Sequence, residues 1–438
     1  MKKLLILGMS SVFAFGAAAQ SLEERVEALE FANYERFFSW SGQLETEYST
    51  VTSNDKDDDK KTSGQSFKNW LKLDMASKPS DRIQFFGRLS MAKLSNRMSE
   101  YTDGAFGDID GQLDEGQTMK NSEVYVERAF INYAATDKFT FTMGRLPTAN
   151  GTPYHLTRNE STAGAYPFLS YNAFFDGMAL SYQLTPELSA KFIYTPFQFL
   201  MGSSKTGTAN TTSSGKTLDT PTNTYSVMLD YETLKMSWTR RMNVVFHYVK
   251  VNNLGLDIDD TNNAGTSTGQ TDFTFNISRA VLAAEFNGIL GSKFDLGVQT
   301  MSMVHNTTNP WTSADGVGGT VDRYFLSDDG AEKSAQIHVL TLRYEINSNN
   351  KVGVQITQSS QHAFASDLVS KTPISFYGVA GTGTHLFYNR TFEGGLKMNV
   401  GVYSVQQDYK APVGAVFGER EDSDIQSTAA YTNFVANF

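Results

Sequence analysis

The sequence predicts an all-β fold: a transmembrane antiparallel up-and-down β-barrel of about sixteen strands, preceded by a short helix. Three observations predict it. Segments in which apolar and polar residues alternate recur along the chain, and tight polar turns alternate with long polar loops. Beyond the extreme N-terminus, no stretch of the sequence approaches the apolar run of a transmembrane helix. Strands that are half polar can still cross a membrane when they close into a barrel.

Residues 67–94 show the alternation most clearly. On the first arm Phe67 and Leu71 lie on one face, whereas Lys68 and Lys72 lie on the other. The second arm repeats the pattern after a polar turn, which predicts a β-hairpin. Each arm has about ten residues, roughly the length that a tilted strand needs to cross a bilayer core. In a membrane barrel, the apolar face of this hairpin would meet lipid and its lysines would face the interior.

Composition excludes several classes of protein. The 438 residues carry a formal net charge of −10, include no Cys and have a mean hydropathy of −0.34. The acidic balance argues against nucleic acid as a partner. Because the chain has no Cys, it cannot form disulfides, and its stability has to come from closed backbone hydrogen bonding and from packing.

The first residues have the pattern of a secretory signal peptide, which we assign to 1–19. Lys2 and Lys3 form the charged start, residues 4–16 form a mostly apolar core, and the alanines 17–19 supply the small residues of a cleavage site. The apolar core is too short for a retained membrane anchor. We therefore expect the mature protein to be exported.

Residues 20–35 predict a short periplasmic helix. The stretch 21–24 reads as a capping box, and Leu22, Val26 and Leu29 follow at the spacing of a coiled coil. A helix of about ten to fourteen residues is too short to be stable alone in water. Two interpretations stay open: a small helical plug or tail, and a coiled coil that associates identical chains.

The barrel is expected to occupy residues 36–438. Within 272–287 the apolar residues change from one face to the other, which predicts a bulge near Ser278. About sixteen segments have strand character. They are 36–50, 65–77, 82–95, 121–135, 138–147, 174–184, 188–197, 222–232, 241–252, 272–287, 293–304, 334–347, 351–361, 383–392, 395–408 and 424–438.

The connections between these segments distinguish a membrane barrel from a soluble sandwich. Short turns alternate with long polar loops down the chain, and a sandwich has no reason to keep its long loops on one side. Outer-membrane barrels have short periplasmic turns and long external loops. The long loops are predicted at 51–64, 96–120, 148–173, 198–221, 253–271, 305–333, 362–382 and 409–423.

The C-terminal residues resemble the bacterial outer-membrane porin family, whose last strand ends in Phe as a signal for the barrel-assembly machinery. Phe434 and Phe438 share a face and match that pattern, whereas Ala436 stands where the family usually has a large residue. The short N-terminal helix also looks like that of trimeric porins with an N-terminal coiled coil. The resemblance implies a bacterial outer-membrane location, contact with lipids and lipopolysaccharide, recognition by the barrel-assembly machinery, and a homotrimer.

A barrel of this size is too wide for side chains to fill, so a water-filled pore is expected. In porin-like proteins the third long loop folds inward and narrows the pore, and that loop corresponds here to 148–173. Charges facing such a constriction set ion preference through the local field. Clustered basic residues on the early strands favour anions, unless the charges are simply scattered and solvated. The candidate pore-lining or constriction residues are Lys68, Lys72, Arg88, Arg128, Arg145, His155, Arg158 and Glu160.

The expected function is passive diffusion of small hydrophilic solutes or ions through the barrel. Two alternatives stay open. One is a substrate-selective channel for phosphate or sugars, suggested by the aromatic residues near 166–175, which could equally be interface residues. The other is a structural or adhesive barrel with a blocked lumen, which an apolar or tightly packed interior would indicate.

Enzymatic chemistry is not expected. The stretch 265–269, Gly-Thr-Ser-Thr-Gly, matches a nucleophile-elbow string but lies in a polar loop without the strand–turn–helix context that the chemistry requires. The six His residues include no His-Glu-x-x-His motif and no close pair. The sequence therefore predicts no metal site and no cofactor.

Overall fold

A computed structural model of the chain describes residues 38–95, 123–147, 151–160, 166–170, 175–196, 200–201, 222–234, 236–257, 272–314, 320–364, 372–410 and 419–438. The predicted signal peptide (1–19) and periplasmic helix (20–35) lie outside the described residues. Within the described ranges, no helix has the length and apolar character needed to span a membrane.

Sixteen strands, labelled β1 to β16, form one closed antiparallel sheet, which confirms the predicted barrel and strand number. Each strand pairs with its neighbours in sequence, so the barrel is an up-and-down meander. A separate two-stranded sheet joins Trp311–Ala314 to Thr320–Arg323. The barrel strands are β1 Phe38–Asp55, β2 Lys60–Ser80, β3 Ile83–Ser95, β4 Glu123–Ala134, β5 Phe139–Leu146, β6 Phe175–Gln183, β7 Leu188–Thr195, β8 Asn223–Thr233, β9 Arg241–Asp257, β10 Asp272–Asn287, β11 Phe294–Asn309, β12 Lys333–Asn347, β13 Asn350–Ser359, β14 Gly381–Thr391, β15 Lys397–Lys410 and β16 Glu421–Asn437.

The last strand closes the barrel on the first. β16 pairs with β1 from Asn437 opposite Gln43 to Ile425 opposite Asp55. Beyond the ladder, the Gly42 N–H donates to the Phe438 carbonyl at 2.7 Å, and the Phe438 N–H donates back at 3.0 Å. Within the described residues, closure gives each barrel strand a hydrogen-bonded neighbour on both sides, which is the condition for placing a sheet in a membrane.

The prediction of a long loop at 51–64 is wrong. β1 and β2 continue to pair until Asp55 faces Lys60, and a turn of residues 56–59 joins them. The Thr- and Ser-rich sequence of this hairpin lacks apolar alternation, but cross-strand polar pairs such as Ser49 with Ser66 (2.8 Å) support the ladder. These parts of β1 and β2 were predicted as a loop because polar residues occupy both of their faces.

The bulge predicted near Ser278 is displaced. β10 pairs with β11 without interruption from Phe275 to Asn287, and its register shift on that side lies next to Thr274. On the other side the register shifts opposite Asn276, where Asn252 and Asn253 of β9 face this single residue of β10. The apolar residues change face because Ile277 points into the barrel and is buried, whereas Leu282 points outward and is exposed. The pattern thus records an apolar interior at one end of the strand.

The outer surface carries a belt of exposed apolar residues. On each strand they alternate with buried residues that face inward, as the period of two requires. A surface of this kind suits contact with hydrocarbon and would be a liability in water. Representative members of the belt are Leu44, Phe67, Leu89, Ile131, Met143, Leu180, Phe192, Leu229, Phe246, Leu282, Leu340, Ile356, Leu386, Val402 and Phe434.

The interior is packed on the side formed by β9 to β16. Inward side chains such as Met301 and Ile337 are completely buried. They belong to a cluster with Phe325, Phe364 and Phe376, which come from the connections between strands. Among the described residues, this half of the lumen is therefore filled by the protein's own loops.

Candidate functional site

The connection between β5 and β6 folds into the barrel, and its described residues, 151–160 and 166–170, are called the inserted segment here. It contains one short helix, α1 (Tyr154–Arg158), whose five residues are all buried. The helix ends at Asn159, which adopts the left-handed conformation (φ 50°) typical of a helix C-terminus. This placement fits the expectation that the loop at 148–173 enters the lumen.

Side chains of the barrel wall hold the C-terminal end of α1. The last carbonyls of a helix have no partner within it, and cations are favourable there. Three strands that are distant in sequence supply the missing donors. They are Arg343 Nη1 to the Leu156 carbonyl (3.3 Å), Asn389 Nδ2 to the Thr157 carbonyl (2.9 Å) and Lys397 Nζ to the Asn159 carbonyl (2.9 Å).

The other parts of the inserted segment are held by β11. Gln299 donates from Nε2 to the Thr152 carbonyl (3.2 Å) and accepts at Oε1 from the Leu169 N–H (3.3 Å). Gly297 allows the close approach, since a Cβ atom there would lie 2.8 Å from the Cβ of Pro153. The segment is thus fixed at both ends of its described length.

A buried ion pair connects α1 to β1, the strand that closes the barrel on β16. Arg158 Nη1 lies 2.8 Å from Glu47 Oε2 of β1, and neither side chain is exposed to solvent. The guanidinium carbon also lies 4.8 Å from the centre of the Tyr431 ring. Such a pair stabilises one arrangement of the segment, because either partner alone would be an uncompensated buried charge.

The other two predicted residues of the loop lie close by. His155 Nε2 is 2.9 Å from Glu285 Oε2 of β10. Glu160 is half-buried, and its backbone N–H donates to the His155 carbonyl at 3.2 Å. The predicted residues His155, Arg158 and Glu160 therefore lie together inside the barrel, whereas their partners Glu47 and Glu285 were not predicted.

Three of the predicted wall cations form a cluster with three carboxylates. We call this set the charge cluster, and each of its cations already has an acidic partner. Arg88 binds Asp74 through two nitrogens (2.7 and 2.9 Å) and also contacts Glu127. The members are Glu45, Lys72, Asp74, Arg88, Glu127 and Arg128, with Lys72 3.7 Å from Glu45 and Arg128 3.3 Å from Glu127.

A β-bulge in β4 makes this cluster possible. Arg88 faces Arg128 across the ladder, and the next pair is Leu89 with Val126, which leaves Glu127 without an opposite residue. In a bulge of this kind, two consecutive side chains can point to the same face. As a result Glu127 lies between the two arginines and contacts both Arg88 (3.0 Å) and Arg128 (3.3 Å).

Two predicted wall residues lie outside this cluster. Lys68 is buried on the inward face of β2, opposite Glu47 in the ladder. Arg145 is on the outer face of β5, where it forms an exposed ion pair with Asp176 (2.9 Å). This position corrects the expectation that Arg145 faces the lumen. The sequence already indicated that Arg145 faces outward, because a period of two puts it on the same face as the apolar Met143.

Solvent reaches the interior beside the charge cluster. The side chains of Asp74, Arg88 and Arg128 keep 31%, 19% and 17% of their exposure, whereas Met301 and its neighbours on β9 to β16 keep almost none. A cavity of about 100 Å³ lies next to Asp74 and Arg128, and the stacked rings of Phe86 and Phe130 line it. Solvent-accessible polar side chains and a cavity therefore line the lumen next to the charge cluster, and Arg241 of β9 and Glu345 of β12 keep similar exposure (25% and 28%) on the other side.

Comparisons with known proteins give a family and a fold. The family described as "Protein of unknown function (DUF3373)" matches residues 60–314, more than half of the chain. No match was found among curated proteins. Among solved structures, the anion-selective porin from Comamonas acidovorans has a TM-score of 0.52 at 10% identity, with 92% of this chain and 99% of that chain covered.

Two further solved structures have lower TM-scores. OmpF of Salmonella typhi, in complex with daunomycin, gives a TM-score of 0.48 at 11% identity, covering 92% of this chain and 97% of that one. OmpT of Vibrio cholerae with loop L8 deleted gives 0.48 at 12% identity, covering 91% and 99%. At such low identities the likeness to the Comamonas porin establishes a porin-like barrel fold, and it carries no information about solutes.

Proposed function

The chain belongs to the family described as Protein of unknown function (DUF3373), and we propose that it is an outer-membrane channel through which small hydrophilic solutes or ions diffuse passively. One observation carries the proposal: inside a closed barrel, the inserted segment fills part of the lumen and leaves a hydrated side next to the charge cluster. A closed barrel with a partly open polar interior suits diffusion across a membrane. The proposal assigns no chemical reaction and no cofactor to the protein.

The surroundings of the barrel follow from its outer surface. The exposed apolar belt supports contact with membrane lipids, and the predicted export signal supports the bacterial outer membrane, with lipopolysaccharide in its outer leaflet. Insertion would then use the barrel-assembly machinery. We also propose a homotrimer, for which unheated and heated gel mobility or native mass measurement provides the test; a monomer before heating would contradict it.

The charge cluster supports weak ion selectivity. Its three cations would favour anions if they stood alone, but the carboxylates of Glu45, Asp74 and Glu127 neutralise them at short range. We therefore expect the narrow bore to select by size more strongly than by charge.

A second candidate function is a structural or adhesive barrel with a blocked lumen. The packed cluster around Met301, Ile337 and Phe364 favours it, because a pore has no need of a dry apolar interior. A substrate-selective channel for phosphate or sugars would use the cavity next to Arg128. Current block by added phosphate or sugar would support selective binding, whereas unchanged current would argue against it.

Recording from planar bilayers tests the proposal with the purified full-length protein. We expect discrete current steps of small conductance and a reversal potential near that of an unselective pore. Arg88→Gln removes a cation from the charge cluster and should shift the reversal potential toward cation preference. Arg145→Gln, on the outer face, is the matched control and should leave it unchanged. Insertion without any current steps would overturn the proposal in favour of the blocked barrel.

A further inference from the structure

Two arginines inside the barrel stand out because no acidic side chain pairs with them. Arg279 of β10 and Arg420, just before β16, keep only 3% and 4% of their exposure. The third buried arginine of the described residues, Arg158, has a carboxylate partner in Glu47. Neither Arg279 nor Arg420 forms an ion pair within the described part of the chain.

The guanidinium of Arg279 uses only part of its hydrogen-bonding capacity. Nη1 donates to the Ser170 carbonyl of the inserted segment at 3.1 Å, and the group lies 4.9 Å from the centre of the Phe364 ring. Nε and Nη2 are buried and have no hydrogen-bond partner. Two donors of one guanidinium are thus withdrawn from water with nothing to receive them.

Arg420 packs against the turn 361–364, which also carries the Phe364 ring next to Arg279. Arg420 Nη1 donates to the carbonyls of Gln361 and Ala363, both at 2.8 Å. Ala363 precedes Phe364, over whose ring Arg279 lies, so both guanidiniums border one short segment. Burial lowers the pKa of Arg420 to about 10, which still leaves it charged at neutral pH.

Glu419, which precedes Arg420 in the chain, is already engaged by other partners. Glu419 accepts a contact from His362 Nε2 and forms an ion pair with Lys333 at 2.8 Å. The region under the turn therefore has an excess of positive charge. His305, whose ring lies 5.6 Å from Phe364, adds an imidazole and no negative charge.

A buried cation without a counter-charge is costly. Removing a charged group from water costs several kcal/mol as an order of magnitude, and a carbonyl and an aromatic face recover only part of it. An anion accepting from Nε and Nη2 would give both nitrogens an acceptor and offset one of the two positive charges. The rings of Phe325 and Phe364 are fully buried and pack against each other beside Arg279. These rings favour a small anion over an organic acid.

We propose that Arg279, supported by Arg420, forms a buried binding site for a small monovalent inorganic anion such as chloride. The site lies between the inserted segment at Ser170 and the turn 361–364, so a bound anion would fasten these two loops inside the barrel. The proposal does not depend on the channel function, because it concerns the packed side of the lumen.

Urea unfolding of the full-length protein tests the site. A ligand that binds only the folded state stabilises it in a saturable way. The unfolding midpoint should rise and level off as sodium chloride replaces sodium gluconate at constant ionic strength. Arg279→Met should abolish this rise, whereas Arg145→Met, which removes an arginine from the outer face, should retain it. The proposal would be overturned if the unfolding midpoint of the unmodified protein did not depend on chloride, or if Arg279→Met showed the same rise as the unmodified protein.

A second measurement keeps the test decisive if Arg279→Met fails to fold. Crystals of the unmodified protein grown with bromide should show an anomalous peak within hydrogen-bond distance of Arg279 Nε and Nη2. Absence of a peak there would refute the site. Neither readout uses conductance, so failure of the anion site and failure of the channel proposal are distinguishable.

Discussion

Removing Arg158 should release the inserted segment from the barrel wall. In the variant Arg158→Met, the carboxylate of Glu47 stays buried on β1 without the guanidinium that lies 2.8 Å from it. Met keeps most of the length of the side chain, so the change removes the charge with little loss of volume. The variant thus isolates the electrostatic contribution of the pair.

The structure sets the expected magnitude. Neither Arg158 nor Glu47 is exposed, and removing one partner of such a pair costs about 3–5 kcal/mol of folding free energy. The exposed pair of Arg145 with Asp176 is the internal control, because exposed ion pairs contribute about 0–1 kcal/mol. Arg145→Met should therefore cost at least about 2 kcal/mol less.

The free energy of unfolding in urea measures this difference. The double variant Glu47→Gln with Arg158→Met completes a mutant cycle, and it should be more stable than Arg158→Met alone because no unpaired charge remains. Single-channel recording adds a functional readout, since a released segment should widen the lumen and raise the conductance. Equal costs for Arg158→Met and Arg145→Met, or no coupling in the cycle, would refute the idea that this pair fixes the segment.

Two further predictions concern closure and packing of the barrel. A Cβ atom at Gly42 would overlap the ring of Phe438, so Gly42→Leu should cost about 1–3 kcal/mol by urea unfolding, and less in a Phe438→Ala background; an equal cost in both backgrounds would contradict the clash. Met301→Ala should cost about 2–5 kcal/mol because its side chain is packed inside the barrel, whereas Met143→Ala, on the exposed outer face, should cost clearly less. Similar costs for the two Met variants would argue against a packed interior.

The strands were largely predictable because the alternation of apolar and polar residues is a local property with a period of two. β10 begins and ends at Asp272 and Asn287, where its sequence pattern does. The prediction failed at the tip of the β1–β2 hairpin, where both faces of the strands carry polar residues and the alternation disappears. It also misplaced the bulge, because it assumed that only one face of a strand is apolar.

The candidate site was only partly predictable. Arg88 and Arg128 were recognised as charged residues on inward faces, and the ladder between β3 and β4 brings them together. Their acidic partners were missed because Asp74 and Glu127 are 14 and 39 residues away from Arg88 along the chain. The face on which a side chain lies can be predicted from its own strand. Its ion-pair partner can be predicted only when the register between two strands is known.

By itself, the sequence determined the barrel wall: the number of strands, the approximate limits of most of them and the alternation of side chains between the two faces. Only the tertiary structure decided what occupies the interior. Whether an inward residue such as Ile337 meets water or a folded loop depends on contacts between parts of the chain that are far apart in sequence. The same is true of Arg158, whose buried carboxylate partner, Glu47, lies 111 residues earlier in the chain on β1. The local alternation with a period of two carries no information about the surroundings of Ile337 or the ion-pair partner of Arg158.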